Sequence, residues 1–183
     1  MNTSPDDKPI QEESEPKQRK VLAVDLGLRT GLALFTEPGH LTWYRSLHVK
    51  KRADLKRAIW SILQEIDRLD ALFLEGDRKL ASWWEKAARK QFEMLIHVET
   101  LGAERWRASM LLPRQQHSGK QAKQVAMEMA TELARESPLC KGASSMRHDT
   151  AEAILIGAWG WSQLGWSINT TSTDGQDVTS PGR

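Results

Sequence analysis

The chain has 183 residues and a single cysteine, Cys140. One thiol excludes an internal disulfide and leaves too few thiolates for a cysteine metal site, and it fits a reducing compartment. Long hydrophobic runs are missing as well. The most apolar stretch, from Ala153 to Trp161, is far shorter than the ~20 residues that a bilayer-spanning helix needs. The first residues are polar and acidic with no apolar segment, so no secretory leader is read there and a cytoplasmic protein without a membrane partner is expected. Charge of one sign is also lacking. Lys plus Arg is 26 against 24 Asp plus Glu, a formal net charge of +2 that identifies no partner by itself.

What is present is unevenly placed. Residues 45 to 57 contain Arg45, Lys50, Lys51, Arg52, Lys56 and Arg57 against one acid, Asp54. Residues 105 to 123 contain Arg105, Arg107, Arg114, Lys120 and Lys123, with His117 and no acid. Such segments suit a polyanion, although either one alone is equally explained as solvated surface. Eight tryptophans are many for this length. Trp159, Trp161 and Trp166 are expected to pack against a sheet or a partner, and Trp43 and Trp60 to be half exposed.

Residues 1–19 and 168–183 are rich in Pro, Ser, Thr and charged or polar residues, and read as disordered tails around one folded unit at 20–167. Three apolar runs open that unit: Val21 to Asp25, Leu32 to Phe35 and Leu41 to Val49. Short turns separate them, which predicts antiparallel strands. A helix is predicted over Ala53 to Asp70, where Leu55, Ile59, Ile62, Leu63 and Ile66 recur at helical spacing. A buried strand, Ala71 to Glu75, follows. Helices are then predicted over Ser82 to His97, Ser118 to Glu136 and Asp149 to Leu164, with a fifth strand over Arg107 to Leu112. A strand meander followed by alternating strands and helices predicts a mixed α/β sheet with helices on its faces.

Two of the apolar strands end in an acid, at Asp25 and Glu75. An ionised carboxylate leaving water needs a partner. If the two strands are neighbours, these acids lie side by side. Asp149 and Glu152 are three residues apart at the start of a helix and so face the same way. Four gathered carboxylates need cations. Mg²⁺ is a hard ion that favours carboxylates, water and phosphate, and two such ions about 4 Å apart stabilise both oxygens of a phosphodiester hydrolysis. Simpler explanations exist for each acid. Asp149-Thr150-Ala151-Glu152 is also a capping box with Asp149 as N-cap. Asp25 can cap its own turn, and Glu75-Gly76 can be a plain strand end.

Val24-Asp25-Leu26-Gly27-Leu28-Arg29-Thr30-Gly31, Phe73-Leu74-Glu75, the segment from Ser118 to Val125 with Lys123, and His148-Asp149-Thr150-Ala151-Glu152-Ala153-Ile154 together resemble the RuvC-type Holliday junction resolvases of the RNase H-like nuclease superfamily. The resemblance spans residues 20 to 165. It implies an RNase H-like mixed five-stranded sheet flanked by helices. It also implies that Asp25, Glu75, Asp149 and Glu152 bind two Mg²⁺ ions, with Mn²⁺ as a substitute. Lys123 would face the scissile phosphate. The implied activity is that of a crossover junction endodeoxyribonuclease working as a homodimer on four-way DNA junctions, with a branch-migration helicase as a candidate partner. Arg29, Arg78, Lys79, Arg114, Lys120 and Lys123 are the expected DNA contacts.

The chain departs from that pattern in three places. Glu152 stands where the family has aspartate. His148 precedes Asp149 and is an alternative metal ligand. The family's aromatic wedge after the strand-end glutamate is replaced by Arg78 and Lys79, with Trp83 and Trp84 following as candidates for base stacking or packing. Two other readings stay open: an actin-like nucleotide-binding lobe, suggested by the Asp25 to Gly31 turn, and an RNase H-like (YqgF-like) factor acting on RNA.

Overall fold

Continuous burial of three apolar runs, at 21–24, 30–36 and 71–75, sets the centre of the sheet. The computed structural model describes residues 18–27, 29–92, 96–116, 118–140 and 146–166. The tails read at 1–19 and 168–183 lie outside these residues except for 18 and 19, as does His117. Strands β1 (Lys20–Leu26), β2 (Arg29–Thr36) and β3 (His40–His48) form an antiparallel meander. The β2–β3 turn is closed by the Gly39 N–H donating to the Thr36 carbonyl, with Gly39 at φ 110°, a backbone region that favours glycine. Helix α1 (Arg52–Gln64) then carries the chain to β4 (Ala71–Gly76), which lies parallel to β1 on its free side. Helix α2 (Arg78–Gln91) leads to β5 (His97–Leu101), parallel to β4. The sheet order is β3-β2-β1-β4-β5. This is the mixed five-stranded α/β sheet flanked by helices that the sequence led us to expect.

Side chains alternate between faces along each strand. Leu22, Val24, Leu32, Leu34, Leu72 and Leu74 face α1 and α2, where they meet Leu55, Ile59, Leu63, Trp84 and Ala88. Val21, Ala23, Phe35, Ala71 and Phe73 face the other way, against helices α3 (Ala103–Met110), α4 (Gly119–Glu136) and α5 (His148–Gln163). A short 3₁₀ turn, Pro113–Gln116, joins α3 to α4. Helix α5 is apolar on nearly all sides and mostly buried, with Ile154, Leu155, Ile156 and Trp161 fully so. Burial of each such side chain contributes about 1.5–3 kcal/mol. Among the described residues no helix is long and apolar enough to cross a membrane.

Four elements differ from expectation. The segment expected as the fifth strand, Arg107 to Leu112, belongs mainly to helix α3, and the fifth strand is His97–Leu101. Only Trp106 of α3 is buried, so the apolar run that suggested a strand is the edge of a short helix. Helix α2 begins four residues before the expected Ser82, because the Asp77 carboxylate accepts from the Lys79 and Leu80 N–H groups at 2.8 and 2.9 Å and caps it there. Helix α1 stops at Gln64 rather than Asp70; the Asp70 carboxylate instead receives the Lys20 N–H at 2.8 Å and pairs with Arg68 at 2.5 Å. The N-cap position of helix α5 is Arg147, not Asp149; its side chain makes no capping bond, and the Thr150 Oγ1 accepts from the Arg147 N–H at 2.9 Å.

Candidate active site

Strand register gathers the first acids. Asp25 on β1 pairs with Glu75 on β4 and, on its other side, with Gly31 on β2; Gly31 in turn pairs with Ser46 on β3. Ser46, Gly31, Asp25 and Glu75 therefore make one row across the sheet, all on the α5 face. Gly31 leaves a gap in that row, and α5 fills it with backbone. A Cβ on Gly31 would stand 1.9 Å from the Asp149 carbonyl oxygen and 2.9 Å from the Thr150 nitrogen. The absent side chain lets the first turn of α5 rest on the sheet, which carries Asp149 and Glu152 over the row.

The result is a cavity of about 390 Å³ lined by Asp25, Arg29, Lys123, Arg147, His148, Asp149 and Glu152. Glu75 is buried beside it, with its Oε2 accepting from Trp106 Nε1 at 2.6 Å. Glu152 pairs with Arg107 at 2.6 Å. Asp149 accepts from the Ser46 hydroxyl. Asp149 also sits in the first turn of α5, where the helix dipole favours an anion. The capping box considered for Asp149 and Glu152 is thus not formed by them.

Crowding of like charge dominates the electrostatics. The Asp25 carboxyl is pushed up to about 8, first by burial and then by the charges of Glu152, Glu75 and Asp149. Glu75 is also raised, chiefly by burial, against the opposing pull of the Trp106 N–H. The four acids offer only hard carboxylate oxygens as donors, the chemistry that suits Mg²⁺ or Mn²⁺. With the side chains as they stand, no three His, Cys, Asp or Glu groups among the described residues converge closely enough to hold one ion. The reason is visible in the hydrogen bonds: Glu75, Asp149 and Glu152 are each turned toward a protein donor. The donor set fits a divalent cation in kind.

Of the other residues singled out in the sequence, Arg29, Lys123 and His148 line the cavity. Arg78 and Lys79 lie in the first turn of α2, with Lys79 lining a separate hollow on the other side of Gly27. Arg114 and Lys120 are exposed on the 3₁₀ turn and the start of α4, outside the cavity lining. Within the second basic segment, Arg105 and Arg107 are committed to Glu99 and Glu152. Trp84 is fully buried and carries no surface contact, whereas Trp83 is half-buried.

Three participants, Ser46, Trp106 and Arg147, had not been singled out, and Arg107 had been read only as part of a basic segment. Ser46 was reachable from the hairpin register, which places it opposite Gly31. Trp106, just before the predicted strand Arg107 to Leu112, had no such signal, and reading Arg107 into that strand hid its place on a helix. Arg147 carried no pattern of its own.

No family model matches the chain, and no curated protein does. Among solved structures, one described as Thermus thermophilus RuvC aligns with a TM-score of 0.49 at 18% identity, covering 80% of this chain and 96% of that one.

Proposed function

We propose that the protein is a divalent-metal-dependent endonuclease that cuts four-way DNA junctions. One observation carries this reading: two carboxylates in register at the ends of adjacent parallel strands lie beneath two more in the first two turns of α5, and cations share the same cavity. Asp25, Glu75, Asp149 and Glu152 would hold the metal, with His148 at the rim as a further ligand. Bound cations would supply polarisation of the scissile phosphate and an activated water.

The chain's own residues do the positioning. Trp106 fixes the Glu75 carboxylate and Ser46 fixes that of Asp149, so neither acid has to be ordered when substrate arrives. Lys123 offers its ammonium to the charge that grows on the phosphate oxygens. Arg29 and Arg147, on opposite elements around the cavity, hold the flanking phosphates. Arg114, Lys120, Arg78 and Lys79 extend the cationic surface along the strand. Attack by water leaves a 5′-phosphate and a 3′-hydroxyl. A homodimer would place two such sites about a two-fold axis, matching a substrate of the same symmetry.

The test compares a four-way DNA junction, a DNA duplex and a structured RNA, each with Mg²⁺ or EDTA. Paired nicks in the junction, dependent on Mg²⁺, are expected from the parent. Asp25→Asn should bind the junction but not cut it. Equal cutting by that variant removes the site assignment, and preferential cutting of the RNA moves the substrate to the RNA-processing alternative.

A further inference from the structure

The face of the sheet opposite the acids carries a second basic feature. Helices α1 and α2 lie side by side there, and the seam between them holds two hollows. The first, of about 390 Å³, is lined by Leu26, Gly27, Val49, Lys50, Lys51, Leu55, Asp77, Lys79 and Leu80. The second, of about 310 Å³, is lined by Lys56, Ile59, Trp60, Trp83, Lys86, Ala87 and Lys90. Leu55 and Ile59 are one turn apart on α1, as are Leu80 and Trp83 on α2. The hollows are therefore successive stations on one groove. It starts at Gly27, two residues beyond Asp25, and runs away from the acids.

Its chemistry is one-sided. Six exposed lysines line the two hollows, and none is held in an ion pair among the described residues. The single acid, Asp77, is spent on capping α2. In the second hollow two indole rings are offered with cations above them: Lys56 Nζ lies 4.9 Å from the Trp83 ring centre and Lys90 Nζ 5.5 Å from that of Trp60. A basic track that ends in half-buried tryptophans has the two elements that hold unpaired nucleotides, ammonium groups for phosphates and ring faces for bases. A duplex hides its base faces and so does not use both elements.

We infer that the α1–α2 groove binds a single-stranded nucleic-acid segment, with Lys50, Lys51 and Lys79 tracking its backbone from the active site and Trp60 and Trp83 stacking its bases. When a base lies on Trp83, the Lys56 ammonium moves from the ring to a neighbouring phosphate. The choice of ligand rests on the nuclease reading, but the groove is separate from the acids, so its binding is measurable with cleavage switched off.

The experiment titrates the full chain in EDTA with fluorescent oligothymidylate and, separately, oligouridylate, reading anisotropy and tryptophan quenching over a range of salt. The parent should bind with quenching. Lys86→Gln with Lys90→Gln, two exposed changes, should weaken binding by about tenfold at low salt and reduce the salt slope by about 1.4, two single-strand phosphate contacts. Trp83→Ala should cost about tenfold and lose part of the quenching. A preference for one oligomer shows whether the groove favours the DNA or the RNA probe. The inference is overturned if both variants bind like the parent, or if their loss of binding accompanies dissociation of a dimer in sedimentation, which would make the groove a subunit contact. A failure here leaves junction cleavage to be judged by its own assay.

Discussion

Replacing Gly31 by alanine is the sharpest test of how the acids are held. The added Cβ would fall 1.9 Å from the Asp149 carbonyl oxygen and 2.2 Å from its carbon, both backbone atoms that no rotamer change can remove. Contacts below 3.0 Å are essentially never made by Cβ atoms. The start of α5 must therefore retreat by roughly an ångström or more, taking Asp149 and Glu152 with it. Overpacking of this kind costs about 1–3 kcal/mol, a fall in melting temperature of about 2–4 °C per kcal/mol for a chain of this size. Misplacing catalytic groups by about 1 Å costs on the order of 10²-fold in rate. Gly157→Ala is the matched control. Its Cβ would meet the Phe35 ring at 2.4 Å, again in the core but two turns further along α5. Calorimetry and junction cleavage per folded molecule should show both variants destabilised and only Gly31→Ala strongly impaired in rate. A Gly31→Ala enzyme that melts and cuts like the parent would refute the argument that this gap positions the acids.

Two further outcomes follow from the charges. Asp25 keeps its proton up to about 8 in the fold but loses it near 3.8 when unfolded. Between these values the native state binds more protons, so stability without metal should fall as pH rises from about 4 to 8. Melting curves in EDTA should show that fall, and Asp25→Asn should flatten it; an unchanged slope would contradict the assigned burial. Arg107→Gln removes the cation paired with Glu152, so its melting temperature in EDTA should drop while its gain on adding Mn²⁺ exceeds that of the parent. A smaller Mn²⁺ gain would mean that Arg107 orients Glu152 for the metal rather than competing with it.

How much of this was readable in the chain depends on how local each signal was. β1, β2, β3 and β4 were legible because apolar runs such as Val21 to Val24 stop at turn residues. Asp25 and Glu75 were legible because an acid closing such a run is out of place. β5 was not, since His97–Leu101 is an edge strand whose only buried residue is Leu101, and its pairing with β4 holds it in the sheet. A capping box at the start of α5 competed with the metal reading on good local grounds, but Thr150 receives the Arg147 N–H and Asp149 accepts from Ser46. The partners Trp106 and Arg107 depend on contacts 31 and 45 residues distant in the chain, which no local pattern announces.

Helix α5 supplies two of the four acids and also covers one whole side of the sheet, with Ile154, Trp159 and Trp161 lying over Ala23, Phe35 and Phe73. During synthesis this segment leaves the ribosome after every strand has done so. Until it arrives, the nascent chain has an uncovered greasy surface and only half of the acidic set. Completion of the core and assembly of the acidic cluster are therefore one event in the life of the molecule, and a chain interrupted before residue 148 would have neither.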